Sequence, residues 1–233
     1  MAAERVGRDP DGIALLPVTK MQDAATTAAT LEAGITEIAE NRVVDAVRKA
    51  EQMGDAAGRL DWQLIGHLQT NKVRKALHLF SGMHSLDSVR LAEALQKELA
   101  RRAGDRDQDR RSGGSGSPVP DPGRPFRVYV EVNTSAESAK TGAGESEARE
   151  VFAALKDCPR LLPVGLMTMG PLDPDPETAR PCFRRLRELL AELREGGLAP
   201  ESCTGLSMGM SADFEVAVEE GSTVLRIGTA VFE

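Results

Sequence analysis

The chain has 233 residues, 41% of them hydrophobic, with a formal net charge of -7 and only 3% aromatic residues. That is enough apolar material for a large core, and the acidic balance argues against a general nucleic-acid binder or base-stacking platform. Three widely spaced cysteines (Cys158, Cys182, Cys203), no signal-like start and no bilayer-length apolar run point to a free-thiol cytoplasmic protein with no membrane partner.

Residues 1–12 are polar, with Gly and Pro. Ile13 to Lys20 is an apolar run ending in a lysine. It reads as a buried parallel strand, with Pro17 tolerable near its end. Residues 22–33 read as a helix closed by Gly34, and Ile35 to Ala39 as a second strand. Val43 to Met53 has helical spacing and stops before Gly54. Trp62 to Gly66 is a third strand, followed by a helix carrying Lys72, Arg74 and Lys75, a basic cluster expected on a solvated face. Phe80 to His84 is a fourth strand, and a helix follows to about Ala103.

Residues 104–125 break the rhythm with charged, Ser/Gly and Pro-rich sequence, and are expected to be a flexible insertion. A domain linker is the rival view. The strand–helix rhythm resumes after it, which favours one domain over residues 1–233. Phe126 to Asn133 is a fifth strand, 145–156 a helix, and Leu161 to Thr168 a sixth strand. Glu177 to Glu195 is an amphipathic helix. Ser202 to Ser207 is a seventh strand, Ala212 to Glu220 a helix, and Thr223 to Ile227 an eighth strand. This alternation predicts a (β/α)8 TIM barrel. A doubly wound open sheet is the competitor, but no G-x-G-x-x-G follows the first strand.

Barrel sites are built where strands end. Those ends carry Lys20, Asn41, His67, His84, Asn133, Thr168, Ser207 and Gly228, a polar set above apolar strands. A strand-end lysine is expected to be partly desolvated, hence more nucleophilic, and able to form a Schiff base. A lysine simply reaching solvent is the ordinary alternative. Leu206 to Ser211 and Arg226 to Thr229 follow strands seven and eight, where barrels commonly bind phosphate; an ordinary Ser-capped helix and a Gly turn are the alternative. Gly209 permits close backbone approach, and Ser211 could cap the following helix. Arg226 points towards the mouth, where it could only donate to a cofactor nitrogen. A buried pair with an acid such as Glu131 is the alternative. His67 and His84 lack ligand spacing, so no metal site is expected.

Several stretches together resemble the pyridoxal phosphate homeostasis protein family, relatives of the alanine racemase N-terminal domain. They are Leu16 to Lys20, Glu40-Asn41-Arg42, Ile65 to Lys72, His84 to Ser88, Glu131 to Asn133, Gly165 to Met169, Leu206 to Asp213 and Arg226 to Thr229. The resemblance covers nearly the whole chain in order. It implies an alanine racemase N-terminal-like barrel holding pyridoxal 5'-phosphate (PLP, a vitamin B6 form) as a Schiff base on Lys20. It implies phosphate contacts from Ser211, Gly228 and Thr229, with Ser207 as a further one. Arg226 matches the pyridine-facing arginine of the racemases, and Asn41, His84 and Met167 match positions lining the cofactor cavity. There are departures. Ala39 stands where the family usually has Gly, and the usual N-terminal helix is shortened or absent, so one flank of the barrel is expected to be uncovered.

A racemase of this type needs a base on each face of the substrate carbon. In racemases the second is a tyrosine from another domain. The only tyrosine here, Tyr129, lies within a strand. The resemblance therefore implies a monomeric PLP carrier or regulator in intracellular PLP homeostasis, affecting amino and keto acid balance and supplying PLP-requiring apoenzymes. A PLP enzyme with weak racemase-type activity is the alternative, and a Schiff-base aldolase without PLP is the third.

Overall fold

The computed structural model describes residues 2–110, 124–135, 141–171, 173 and 175–232. Eight strands alternate with helices: β1 (Ala14–Pro17), α2 (Ala24–Ala29), β2 (Glu37–Glu40), α3 (Val43–Met53), β3 (Asp61–Leu64), α4 (Val73–Ala76), β4 (Phe80–Leu86), α5 (Val89–Arg110), β5 (Phe126–Glu131), α6 (Glu145–Leu155), β6 (Leu161–Met167), α7 (Arg180–Glu195), β7 (Gly205–Ser207), α8 (Phe214–Glu219) and β8 (Val224–Ile227). Short helices stand at the ends, α1 (Ala2–Arg5) and α9 (Thr229–Phe232).

The strands form one parallel sheet in the order β1-β8-β7-β6-β5-β4-β3-β2. It closes between β1 and β2 through a single parallel bridge, Val18 to Ala39, where Thr19 N donates to Ala39 O at 3.0 Å. The expected (β/α)8 barrel is therefore observed. Ala39 occupies the position in question as ordinary strand, so its side chain is accommodated.

Alternation along the strands separates two environments. Val128, Val130, Leu166 and Leu206 face outward into the main apolar cluster beneath the helices. That layer holds the largest fully buried side chains, including Trp62, Phe80, Phe152 and Phe183. Each contributes about 1.5–3 kcal/mol by leaving water. α7 supplies Phe183, Leu186, Leu190 and Leu193 at helical spacing, all buried. The lumen is far more polar. Arg127 on β5 reaches Glu37 on β2 and Asp61 on β3, which requires its side chain to cross the barrel interior. Ser81 also donates to Asp61 at this N-terminal floor.

One expectation needs correction. Residues 104–110 do not leave the helix, because α5 runs on to Arg110; residues 111–123 of the expected insertion lie outside the described residues. The N-terminal helix is present in shortened form, one of the two outcomes expected of it. Ala3 of α1 is buried, and Arg5 pairs with Glu215 and Glu219 of α8. Arg8 donates to the carbonyls of Val218 and Ser222, tying this segment to the barrel wall. The flank of β1 is nonetheless open, as expected. Leu15 pairs in register with Leu225 on the outer surface and is 51% exposed.

Candidate functional site

The C-terminal mouth brings together most of the predicted residues. Lys20 lies just beyond β1 in a turn and is exposed. The protein's own side chains do not supply the desolvation expected of it. Val18, two residues before it, is bonded to β8 through Val18 N to Ile227 O at 2.8 Å. Gly228 approaches the same strand: a Cβ there would lie 3.5 Å from Val18 O. Lys20 is thus delivered beside the Gly228-Thr229 turn.

Arg226, Ser207, His84 and Met167 are buried in the lumen below that rim. Met167 pairs in register with Glu131 and Ser207 at the upper end of the sheet. Arg226 donates to Ser207 Oγ at 2.8 Å and to the Thr168 carbonyl at 2.9 Å. Ser207 Oγ lies 2.7 Å from His84 Nδ1. The guanidinium can only donate, so Ser207 Oγ accepts from Arg226 and keeps its own proton available for Nδ1. Burial, and then the charges of Arg226 and Arg127, hold the His84 pKa well below its ordinary value, so the ring is neutral. Burial pulls Arg226 down to about 10, opposed by Asp213, Glu131 and Tyr129, and it remains a cation at neutral pH.

Arg226 does not form the alternative ion pair with Glu131. Glu131 accepts instead from Thr141 Oγ1 at 2.7 Å. Among the described residues, no carboxylate stands within ion-pair distance of Arg226. A guanidinium has five N–H donors, and this one directs two bonds to the protein. Such a buried cation calls for an acceptor from outside the chain.

The loop after β7 differs from expectation in one respect. Ser211 does not cap α8, which starts later, at Phe214 with Asp213 as its N-cap residue. The Asp213 carboxylate accepts Met210 N at 2.6 Å, and Asp213 O accepts Ala217 N at 3.0 Å. The 208–212 segment is therefore turned before the helix begins. Gly209, at φ +96, provides a left-handed conformation that side chains rarely adopt. Ser211 Oγ accepts from Ala230 N at 3.3 Å, which joins this loop to the Gly228-Thr229 turn. The two stretches singled out in the sequence thus converge.

Asn41 sits exposed at the end of β2, against Gly66. A Cβ on Gly66 would lie 2.0 Å from Asn41 O, so only glycine fits there. His67 is exposed, with Nδ1 3.0 Å from Asp87. Lys72, Arg74 and Lys75 are exposed, as a solvated face requires. No cluster of metal-ligating side chains occurs among the described residues.

The sequence alone does not place Tyr129 in the lumen, although β5 alternates Arg127, Tyr129 and Glu131 with Phe126, Val128 and Val130. Its ring lies 4.2 Å, centroid to centroid, from that of His84. Burial raises its pKa to about 12. The space it needs comes from Gly205, where a Cβ would lie 2.6 Å from Tyr129 Cε1.

A closed parallel barrel with a lysine at its first strand end and converging turns after its last two strands is the class of the alanine racemase N-terminal domain. The family model of that description matches residues 4–233. The chain belongs, within that class, to the pyridoxal phosphate homeostasis protein family. It is 37% identical to the pyridoxal phosphate homeostasis protein of Aquifex aeolicus, over 99% of this chain and 91% of that protein. It is 34% identical to the protein of the same name from Escherichia coli K12, over 99% and 89%. Among solved structures, PipY of Synechococcus elongatus with PLP bound superposes with a TM-score of 0.79 at 29% identity, over 100% of each chain. Alanine racemase of Clostridium difficile shares the fold, with a TM-score of 0.68 at 13% identity, over 98% of this chain and 53% of that one.

Proposed function

We propose that this protein holds PLP in the mouth of its barrel, covalently on Lys20, and acts as a carrier and regulator in intracellular PLP homeostasis. The observation that carries this reading is Arg226, a buried cation fixed by Ser207 and Thr168 and lacking a carboxylate partner among the described residues. PLP, when bound, supplies an aldehyde that condenses with an amine and a pyridine nitrogen that can accept a hydrogen bond. The chain's residues divide the work. Lys20 provides the amine, and Arg226 donates to the ring nitrogen and keeps it unprotonated. His84 and Met167 bound the ring on the lumen side, and Asn41 lines the rim. Ser211, Gly228 and Thr229 donate to the phosphate. Ser207 serves the site by orienting Arg226, in place of a phosphate contact. PLP-requiring apoenzymes are the recipients, and the carrier works as a monomer.

Turnover has little support. The single tyrosine, Tyr129, lies in the lumen against His84 rather than at the mouth. It is not placed to serve as the second base that racemisation needs.

The test is an absorption titration of the purified protein with PLP, then borohydride reduction and peptide mapping. A visible band that reduces onto Lys20, and is absent in Lys20→Ala, is expected. A band reduced onto another lysine would reject the assignment. Replacing Ser211 and Thr229 together by alanine should weaken PLP retention by about tenfold or more, as lost hydrogen bonds to a charged group do. Unchanged retention would move the phosphate elsewhere. Loss of the amino acid α-proton in the presence of PLP would favour the enzyme reading.

A further inference from the structure

We infer that Lys49, which lies outside the cofactor site, is a positioning residue for Lys20. The inference rests on Lys20 being the cofactor lysine. Lys49 on α3, Glu40 at the end of β2 and Thr19 just beyond β1 are all buried. Lys49 Nζ donates to Glu40 Oε1 at 2.5 Å and to Thr19 O at 2.6 Å. Thr19 Oγ1 donates to the same carboxylate oxygen at 2.7 Å. Gln22 N adds a second donor to Thr19 O, at 2.8 Å. The Thr19 carbonyl and the Lys20 N–H belong to one planar peptide unit. Two donors on that carbonyl fix the plane from which the Lys20 side chain departs.

The position in the barrel makes this hold necessary. β1 pairs with β8 over four residues, and β2 with β3 over four, but β1 meets β2 only through the Val18–Ala39 bridge. The closing seam is one of the two thinnest in the ring, since β7 and β8 also share a single register pair, and Lys20 leaves the sheet directly above it. The Lys49–Glu40 pair spans that seam from the helix side. Packing alone does not call for an ion pair. An apolar pair of similar size is often as stable as a buried salt bridge, or more so. What an apolar pair cannot supply is a donor to Thr19 O.

That difference defines the experiment. Lys49→Met strands the Glu40 carboxylate and should lower the thermal midpoint. The double variant Glu40→Leu with Lys49→Met removes the stranded charge and should recover most of that loss. If Lys49 positions Lys20, the double variant still retains PLP at least about tenfold more weakly than wild type, the effect of one lost charge-assisted hydrogen bond. In the protein without PLP, the Gln22 amide exchanges faster while the β1 and β2 amides keep their protection. Wild-type PLP retention together with wild-type Gln22 protection in the double variant would overturn the inference. If the double variant does not recover, exchange in folded Lys49→Met decides. Faster exchange confined to the 19–22 turn supports positioning, and uniform loosening of β1 and β2 overturns it. The exchange measurement needs no cofactor. A failure of the PLP reading, shown by no Lys20 adduct in wild type, is therefore told apart from a failure of this one.

Discussion

Two arginines face the lumen of this barrel, and their surroundings differ. Arg127 at the floor has two acids, Glu37 and Asp61, the latter at 2.8 Å. Arg226 near the mouth has a hydroxyl and a carbonyl, and among the described residues no acid at bonding distance. Each of the three floor partners keeps roughly a third of its side chain exposed, whereas Arg226 is 4% exposed. The less buried charge is the one the protein neutralises. A chain selected only for stability would do the reverse, because an unpaired buried charge costs far more than a half-exposed one. The floor is built for holding the strands together. The mouth leaves guanidinium donors that no acid among the described residues takes up.

The comparison is broken or sharpened by exchanging each arginine for a methionine of similar length. Arg226→Met has the larger expected effect. PLP retention should fall by about 10- to 100-fold, as one charged hydrogen bond in a buried site is lost. An absorption titration measures it. The stability of the cofactor-free protein should change little, because relief from burying the cation offsets the bonds lost by Ser207 and the Thr168 carbonyl. Arg127→Met should do the opposite. It leaves Glu37 and Asp61 facing each other without their cation and should lower stability by about 1–2 kcal/mol in urea unfolding. PLP retention should be unaltered. If Arg127→Met weakened PLP retention as much as Arg226→Met, the division between floor and mouth would be wrong.

The mouth was easier to read from the sequence than the floor, and for a physical reason. Strand-end residues such as Lys20, Asn41 and Gly228 interrupt apolar runs, so a polar residue at the end of each run is visible without coordinates. Arg226 was placed correctly because it falls one residue before the end of such a run. The floor depends on contacts between strands far apart in sequence. Arg127 and Glu37 are separated by 90 residues, and no local pattern shows that they meet. The same holds for the Lys49–Glu40–Thr19 cluster, in which a lysine on α3 turns inward to a strand end and a loop. The start of α8 was misplaced for a local reason. Ser211 and Asp213 are both good capping residues, and only the fold shows that Asp213 supplies the first helical carbonyl. The extension of α5 to Arg110 was hidden by its charged composition.

Glu131 gives the smallest effect and tests whether the mouth is short of stabilising partners in general. It is buried at the upper end of β5 and bonded to Thr141. Burial raises its pKa, and the Thr141 hydrogen bond only partly opposes this. A carboxyl whose folded pKa lies above its unfolded value binds its proton more tightly in the native state. Its contribution to stability is therefore best at low pH and is lost as pH rises through the folded pKa. Glu131→Gln keeps an acceptor for Thr141 and removes the charge. It should raise the thermal midpoint at neutral pH by about 1–3 °C, the scale of a fraction of a kcal/mol in a chain of this size. The gain should shrink as pH falls through the carboxylate range and vanish below it. A gain that persisted in acid would trace to packing, and a loss at neutral pH would mean that the Glu131 charge itself stabilises the mouth, through its attraction to Arg226.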